Sequence, residues 1–140
     1  MFKQRPRLRI LIADDIADVR RDLRLLLEIV VGCEVVGETA DGQGAINQST
    51  RLRPDVVIMD LAMPGLDGYA AAARIKSALA DCRVVALTVH ADDASRQKAV
   101  AAGFDAFVVK GAPLLELLGA IGPLGKETPL ETGSDTGGGS

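Results

Sequence analysis

Five side chains of this 140-residue chain stand where short apolar runs end. Asp14 and Asp15 follow Ile10-Leu11-Ile12-Ala13, and Asp60 follows Val56-Val57-Ile58-Met59. Thr88 closes the run begun at Arg83, and Lys110 follows Phe107-Val108-Val109. Carboxylates gathered in one place repel unless something positive lies between them, so such a group implies a cation, a lysine or both. An all-oxygen ligand set suits a hard cation, and an incompletely caged one suits Mg²⁺, which keeps several waters. A carboxylate beside Mg²⁺ and a fixed ammonium is equipped to accept a phosphoryl group. The cation and the lysine neutralise the oxygens in flight while the carboxylate attacks in line.

That chemistry requires the five residues to meet, which depends on the elements that carry them. Residues 8–13 read as a buried strand, after which Ile16, Val19, Leu23, Leu26, Leu27 and Val30 keep one face of a helix closed by Gly32. Residues 33–40 form a second strand, and residues 42–52 a polar helix stopped by Pro54. The run 56–59 is apolar throughout, as a strand covered on both faces should be. A turn from Met63 to Gly68 precedes an Ala-rich helix over 69–79. Residues 83–89 make a fourth strand, 92–102 a fourth helix and 104–109 a fifth strand, and Pro113 opens a last helix reaching about Ile121. Strands alternating with helices imply right-handed crossovers and a parallel sheet covered on both faces. In open sheets of this kind ligands bind beyond the carboxyl ends of the strands, where all five residues fall.

Composition narrows the function further. Apolar residues make up 48% of the chain, enough for a packed core, while aromatics are 3% with no Trp, so the core is built from Val, Leu, Ile and Ala. So few aromatics disfavour a stacking surface for nucleic acid. The net charge is −3, and with Lys3, Arg5, Arg7 and Arg9 gathered at the start the rest is acidic, which disfavours a DNA footprint. Cys33 and Cys82 stand apart with no metal-binding spacing and read as small buried apolar groups. No apolar run approaches the ~18–20 residues of a membrane span. The run after the basic start ends at Asp14, too soon for a signal peptide, and a cytoplasmic protein without membrane contact is expected.

Asp14-Asp15, the stretch from Val56 through Asp60 to Met63-Pro64-Gly65-Leu66-Asp67-Gly68, Leu87-Thr88 and Phe107-Val108-Val109-Lys110 together resemble the receiver domain of bacterial two-component response regulators. The wording is nearest to receivers of the LuxR/NarL class, and the resemblance runs over about residues 8–122. It implies a flavodoxin-like (βα)5 fold, a doubly wound parallel five-stranded sheet in the order 2-1-3-4-5. It also implies that Asp60 is the phosphoacceptor, and that Asp14, Asp15, Asp60 and the backbone carbonyl of Ala62 hold Mg²⁺. Lys110 would pair with a phosphoryl oxygen, Thr88 would move onto the phosphate and Phe107 would turn inward behind it. The phosphodonor would be a sensor histidine kinase or phosphotransfer protein, and the chain would catalyse only its own phosphorylation and dephosphorylation. Ala62 and His90, each two places past a site residue, would control water access to the acyl phosphate, unless His90 is simply a solvated loop residue. Gly111 stands where many receivers carry Pro.

The chain then divides into a basic arm at 1–7, a receiver at 8–122 and a polar tail or truncated linker at 123–140. Two alternatives accompany the phosphorylated switch. One is the receiver fragment of a helix-turn-helix transcription regulator, and the other a receiver-like scaffold that works without phosphorylation, which the filled site disfavours. Arg20, Arg21 and Arg24 line the first helix as a solvated face or a docking surface for the kinase. On the last helix Leu114, Leu117, Leu118 and Ile121 share a stripe for the sheet, while Leu115 falls outside it and suggests contact with a second copy or another protein. Gly119 to Lys126 mimics a phosphate loop, but its spacing is wrong and Glu127 replaces the required hydroxyl.

Overall fold

A computed structural model describes residues 7–122. Lys3, Arg5, the tail at 123–140 and the end of the loop-like stretch at Lys126 lie outside the described residues, while Arg7 is exposed. The elements follow one another as β1 (Arg9–Ala13), α1 (Ala17–Leu25), β2 (Glu34–Thr39), α2 (Gly42–Leu52) and β3 (Val56–Met59). They continue as α3 (Gly68–Ala78), β4 (Arg83–Thr88), α4 (Asp93–Ala102), β5 (Ala106–Val109) and α5 (Leu114–Ile121). All strands pair in parallel in the order β2-β1-β3-β4-β5, as the resemblance implied.

The alternation of side chains along the strands builds two cores. Ile10, Ile12, Val56, Ile58, Val85 and Leu87 face one side, where Leu23 and Leu27 after β1 and Leu117 and Ile121 of α5 cover them. Leu11, Ala13, Val57, Met59, Val84 and Ala86 face the other and meet Ala45 of α2, Ala71, Ala72 and Ile75 of α3 and Ala99 of α4. Alanines on this second side let the helices approach the sheet closely. Phe104 fills the gap left at its edge and meets Tyr69 edge to face, with ring centroids 6.4 Å apart. Cys33 and Cys82 are buried free thiols. Burial pushes both up, Cys82 to about 11, so neither offers a reactive thiolate near neutral pH.

One helix departs from the periodic reading. After Leu25 the α1 chain widens into a π-helical stretch, Leu26–Val31, which ends at Gly32 in the left-handed conformation (φ 86°). A wider turn delays the phase of the apolar face. Val31 therefore packs against the core and Val30 is 65% exposed, the reverse of a regular 3.6-residue period. Ile16, expected on the same stripe, is the extended residue before α1 and is half exposed. Two amides, those of Gly32 and Cys33, converge on the Leu27 carbonyl and close the stretch.

Close contacts then tie the helices to the strand ends. Asp41, Asp67 and Asp92 cap α2, α3 and α4, each carboxylate accepting from an amide of its first turn. At the start of α3, Gly68 presses directly on the backbone after β3. A Cβ there would meet the Asp60 carbonyl at 2.9 Å and the Leu61 Cα at 3.0 Å. Gly68→Ala should therefore push α3 off the site and cost about 1–3 kcal/mol of stability, as overpacking does. Urea unfolding checks this, and an unchanged midpoint would mean that α3 can slide without penalty.

Candidate functional site: an acidic cluster at the carboxyl edge of the sheet

The ladder of the sheet extends one residue past the strands and thereby places the site. The Asp14 amide donates to the Thr39 carbonyl (3.0 Å), the Asp60 amide to the Ala13 carbonyl (2.9 Å) and the Lys110 amide to the Thr88 carbonyl (2.7 Å). Asp14 and Asp60 thus leave adjacent central strands side by side, while Lys110 reaches across from β5. Its Nζ lies 2.8 Å from Asp14 Oδ2 and 3.1 Å from Asp60 Oδ2. Both aspartates are buried, and Asp15 beside them is exposed. One carboxylate oxygen from each of Asp14, Asp15 and Asp60 falls within 4.8 Å of the other two.

The remaining oxygens of the buried pair are held locally. Asp14 Oδ1 accepts from the Ile16 amide (2.9 Å) and Asp60 Oδ1 from the Ala62 amide (3.1 Å). These bonds orient each carboxylate and offset part of the cost of burying it. Burial alone would pull the Lys110 ammonium down, but its hydrogen bonds to Asp14 and Asp60 and their charges outweigh this and hold it above its ordinary 10.5. Because the folded state binds this proton more tightly, the stabilisation is complete below 10.5 and fades only as pH rises beyond it. The lysine is therefore charged at neutral pH. A fixed ammonium, two buried carboxylates and an exposed acid around one point can bind a hard cation and neutralise a phosphoryl group.

The model of the response regulator receiver domain matches residues 10–122. The chain belongs to the receiver-domain family. It is 37% identical over 112 residues to the response regulator UvrY of Escherichia coli K12, covering 80% of this chain and 51% of UvrY. Among solved structures, a LuxR-family two-component response regulator from Aurantimonas sp. SI85-9A1 superposes with a TM-score of 0.77 at 35% identity, covering 83% of this chain and 82% of that one. The receiver of the putative response regulator NarL from Mycobacterium tuberculosis gives 0.78 at 29% identity, covering 83% and 94%. The likeness to receivers of the LuxR/NarL class thus holds, and the chain spans about half the length of the curated relatives it matches. Receiver domains bind Mg²⁺ at an acidic pocket, and the acidic cluster of this receiver occupies the corresponding edge of the sheet.

The other residues named from the sequence lie around this cluster. Thr88 is fully buried, its hydroxyl accepting from the His90 amide at 3.1 Å and so free to donate its own proton. Phe107 on β5 is half-buried against the second core, with the Arg96 guanidinium 4.6 Å above its ring. Ala62 and His90 are both exposed in the loops after β3 and β4. Gly111 has φ 90°, which a glycine adopts without strain. Arg21 is solvated as one reading of α1 expected, but Arg20 and Arg24 turn inward onto Glu38 of β2. The sequence carries no signal for that network, because residues 18 and 14 positions apart meet only through the β1–β2 register.

The ammonium is the counterion of two buried charges, and removing it would leave them facing each other. Lys110→Met should lose about 3 kcal/mol in chelator at pH 7, the usual cost of breaking a buried ion pair from one side. Equal stability of variant and wild type in denaturant titrations would show that other groups neutralise the pair.

Proposed function

We propose that this receiver is a phosphorylation-controlled switch whose phosphoacceptor is Asp60. The observation that carries the reading is the Lys110 ammonium shared between Asp60 and Asp14, beside the exposed Asp15. A carboxylate oxygen of Asp60 attacks the phosphorus of a phosphohistidine on a kinase or phosphotransfer protein. The new P–O bond forms as the P–N bond breaks, and the histidine nitrogen leaves with the electron pair. Lys110 offsets the negative charge brought onto the pocket. Asp14, Asp15, Asp60 and the carbonyl of Ala62 would hold Mg²⁺, which when bound supplies further neutralisation of the phosphoryl oxygens. The chain acts on itself and not on a diffusible substrate, since the cluster offers no general base besides these carboxylates.

The output runs from Asp60 through Thr88 to Phe107. New acceptor oxygens on Asp60 attract the Thr88 hydroxyl, and its displacement vacates room for the Phe107 ring. An inward turn of the ring gives up the Arg96 contact, a cost of about 0.5–1 kcal/mol at such an exposed site. Intact mass measured with Mg²⁺ and acetyl phosphate should show one phosphoryl addition to wild type and none to Asp60→Asn. Labelling of that variant to the wild-type extent would exclude Asp60 as the acceptor.

Residues 8–122 form the switch in this reading, with the arm at 1–7 and the tail or linker at 123–140 outside it. The LuxR-family neighbour is compatible with a second reading of the same switch, as the receiver of a helix-turn-helix regulator whose output is DNA binding by another part of the protein. Either reading leaves α5 as a contact surface for a second copy or another protein. Leu115 is 79% exposed there, flanked by the exposed Glu116 and Gly119. Sedimentation with and without phosphodonor should show self-association that grows on phosphorylation and is abolished in Leu115→Glu. A wild type that stays monomeric throughout would remove the second copy from this surface.

A further inference from the structure

Asp15 differs from the other acids of the cluster in having no partner among the described residues. Among the described residues no hydrogen bond or ion pair reaches its carboxylate, which is exposed. The point from which it reaches into the cluster is set by the backbone, and above all by the peptide plane that joins it to Asp14. The oxygen of that plane is the Asp14 carbonyl, and it accepts a hydrogen bond of 2.7 Å from Arg20 Nη1. We infer that Arg20 is a positioning residue, which aims the Asp15 carboxylate into the cation site by locking the Asp14–Asp15 peptide. This rests on the reading of Asp14, Asp15 and Asp60 as that site.

The lock is itself braced. Arg20 Nε donates to Glu38 Oε1 at 3.2 Å, while Arg24 Nε holds Glu38 Oε2 at 2.6 Å. The Glu38 carbonyl accepts from Gln48 of α2 at 2.8 Å, and Thr39 next to it receives the Asp14 amide. The end of β2 therefore grips Asp14 at both ends, through its amide directly and through its carbonyl by way of a guanidinium. A planar fork can span the Glu38 carboxylate and a carbonyl at once, which a lysine cannot. Groups that orient a ligand in this way are commonly worth 10–100-fold in metal affinity.

Charge and position make opposite predictions, which gives the test its sign. Arg20 is a cation near a site for cations, so its removal should strengthen binding if charge were its only effect. Positioning requires the reverse. Mn²⁺, another hard octahedral cation, reports binding by electron paramagnetic resonance without any phosphodonor. Arg20→Ala should bind Mn²⁺ about tenfold more weakly than wild type. Arg20→Lys, with its charge unchanged, should bind severalfold more weakly. Arg21→Ala, which removes the same charge from a side chain paired only with Asp18 and Asp22 among the described residues, should not weaken binding. Thermal unfolding in chelator identifies the temperature at which each variant is folded, and Arg20→Lys carries the test should Arg20→Ala fail to fold. Mn²⁺ affinity in folded Arg20→Ala or Arg20→Lys equal to or above that of wild type would overturn the inference, even if melting temperatures fell. A wild type that binds no Mn²⁺ would instead overturn the cation site, and the inference with it.

Discussion

Two buried carboxylates side by side on adjacent central strands repel unless a cation lies between them, and among the described residues Lys110 is the side chain that does so. Its ammonium draws the end of β5 towards the ends of β1 and β3, although β4 lies between them in the sheet. The ion pair therefore joins the edge strand to the centre at the very place where the chemistry is read. It is also an unsatisfied arrangement in one respect. Two negative charges face one positive charge, and Asp15 adds a third negative group at the rim. Excess negative charge around a lysine leaves the pocket with electrostatic room for a divalent cation, and a phosphoryl group then adds charge that the cation and lysine can share.

The rest of the fold serves to hold these few atoms still. The sheet ladder continues past the strands, so that backbone bonds fix Asp14, Asp60 and Lys110 as firmly as any strand residue. Gly68 lets α3 rest on the Asp60 carbonyl, and Asp67 caps that helix from the same turn. The two aliphatic cores exclude water from both faces of the strands beneath the site. Against this rigid base stand the loops after β3 and β4, where Ala62 and His90 are exposed, and the half-buried Phe107 on β5. The proposed switch would need both kinds of part: an acceptor site that does not move, and a nearby element whose two positions differ little in energy.

Much of this was legible in the sequence because it depends on local order. Apolar runs of four to six residues between helical periods dictate strands and crossovers, and a strand covered on both faces must be apolar throughout, as Val56–Met59 is. The polar residue that ends each run is then placed at the carboxyl edge by chain direction alone. Asp14, Asp15, Asp60, Thr88 and Lys110 were all found this way, since a parallel sheet carries the end of every strand to the same edge.

What only the tertiary structure decided are the pairings between elements and the phase of one helix. The sharing of Lys110 between Asp14 and Asp60, with Asp15 unheld among the described residues, follows from side-chain reach across three strands, which spacing along the chain does not encode. The bracing of the Asp14 carbonyl by Arg20 depends on Glu38 lying opposite Ile12, a partnership set after an irregularity in the β1–β2 register. The π-helical turn that buries Val31 and exposes Val30 is another such case, because a helix of that composition has no local reason to widen. Residue types and their order thus determined the fold and the chemistry available at its edge. Packing of one element on another decided which of those groups are held, by whom, and which is left free to meet a ligand.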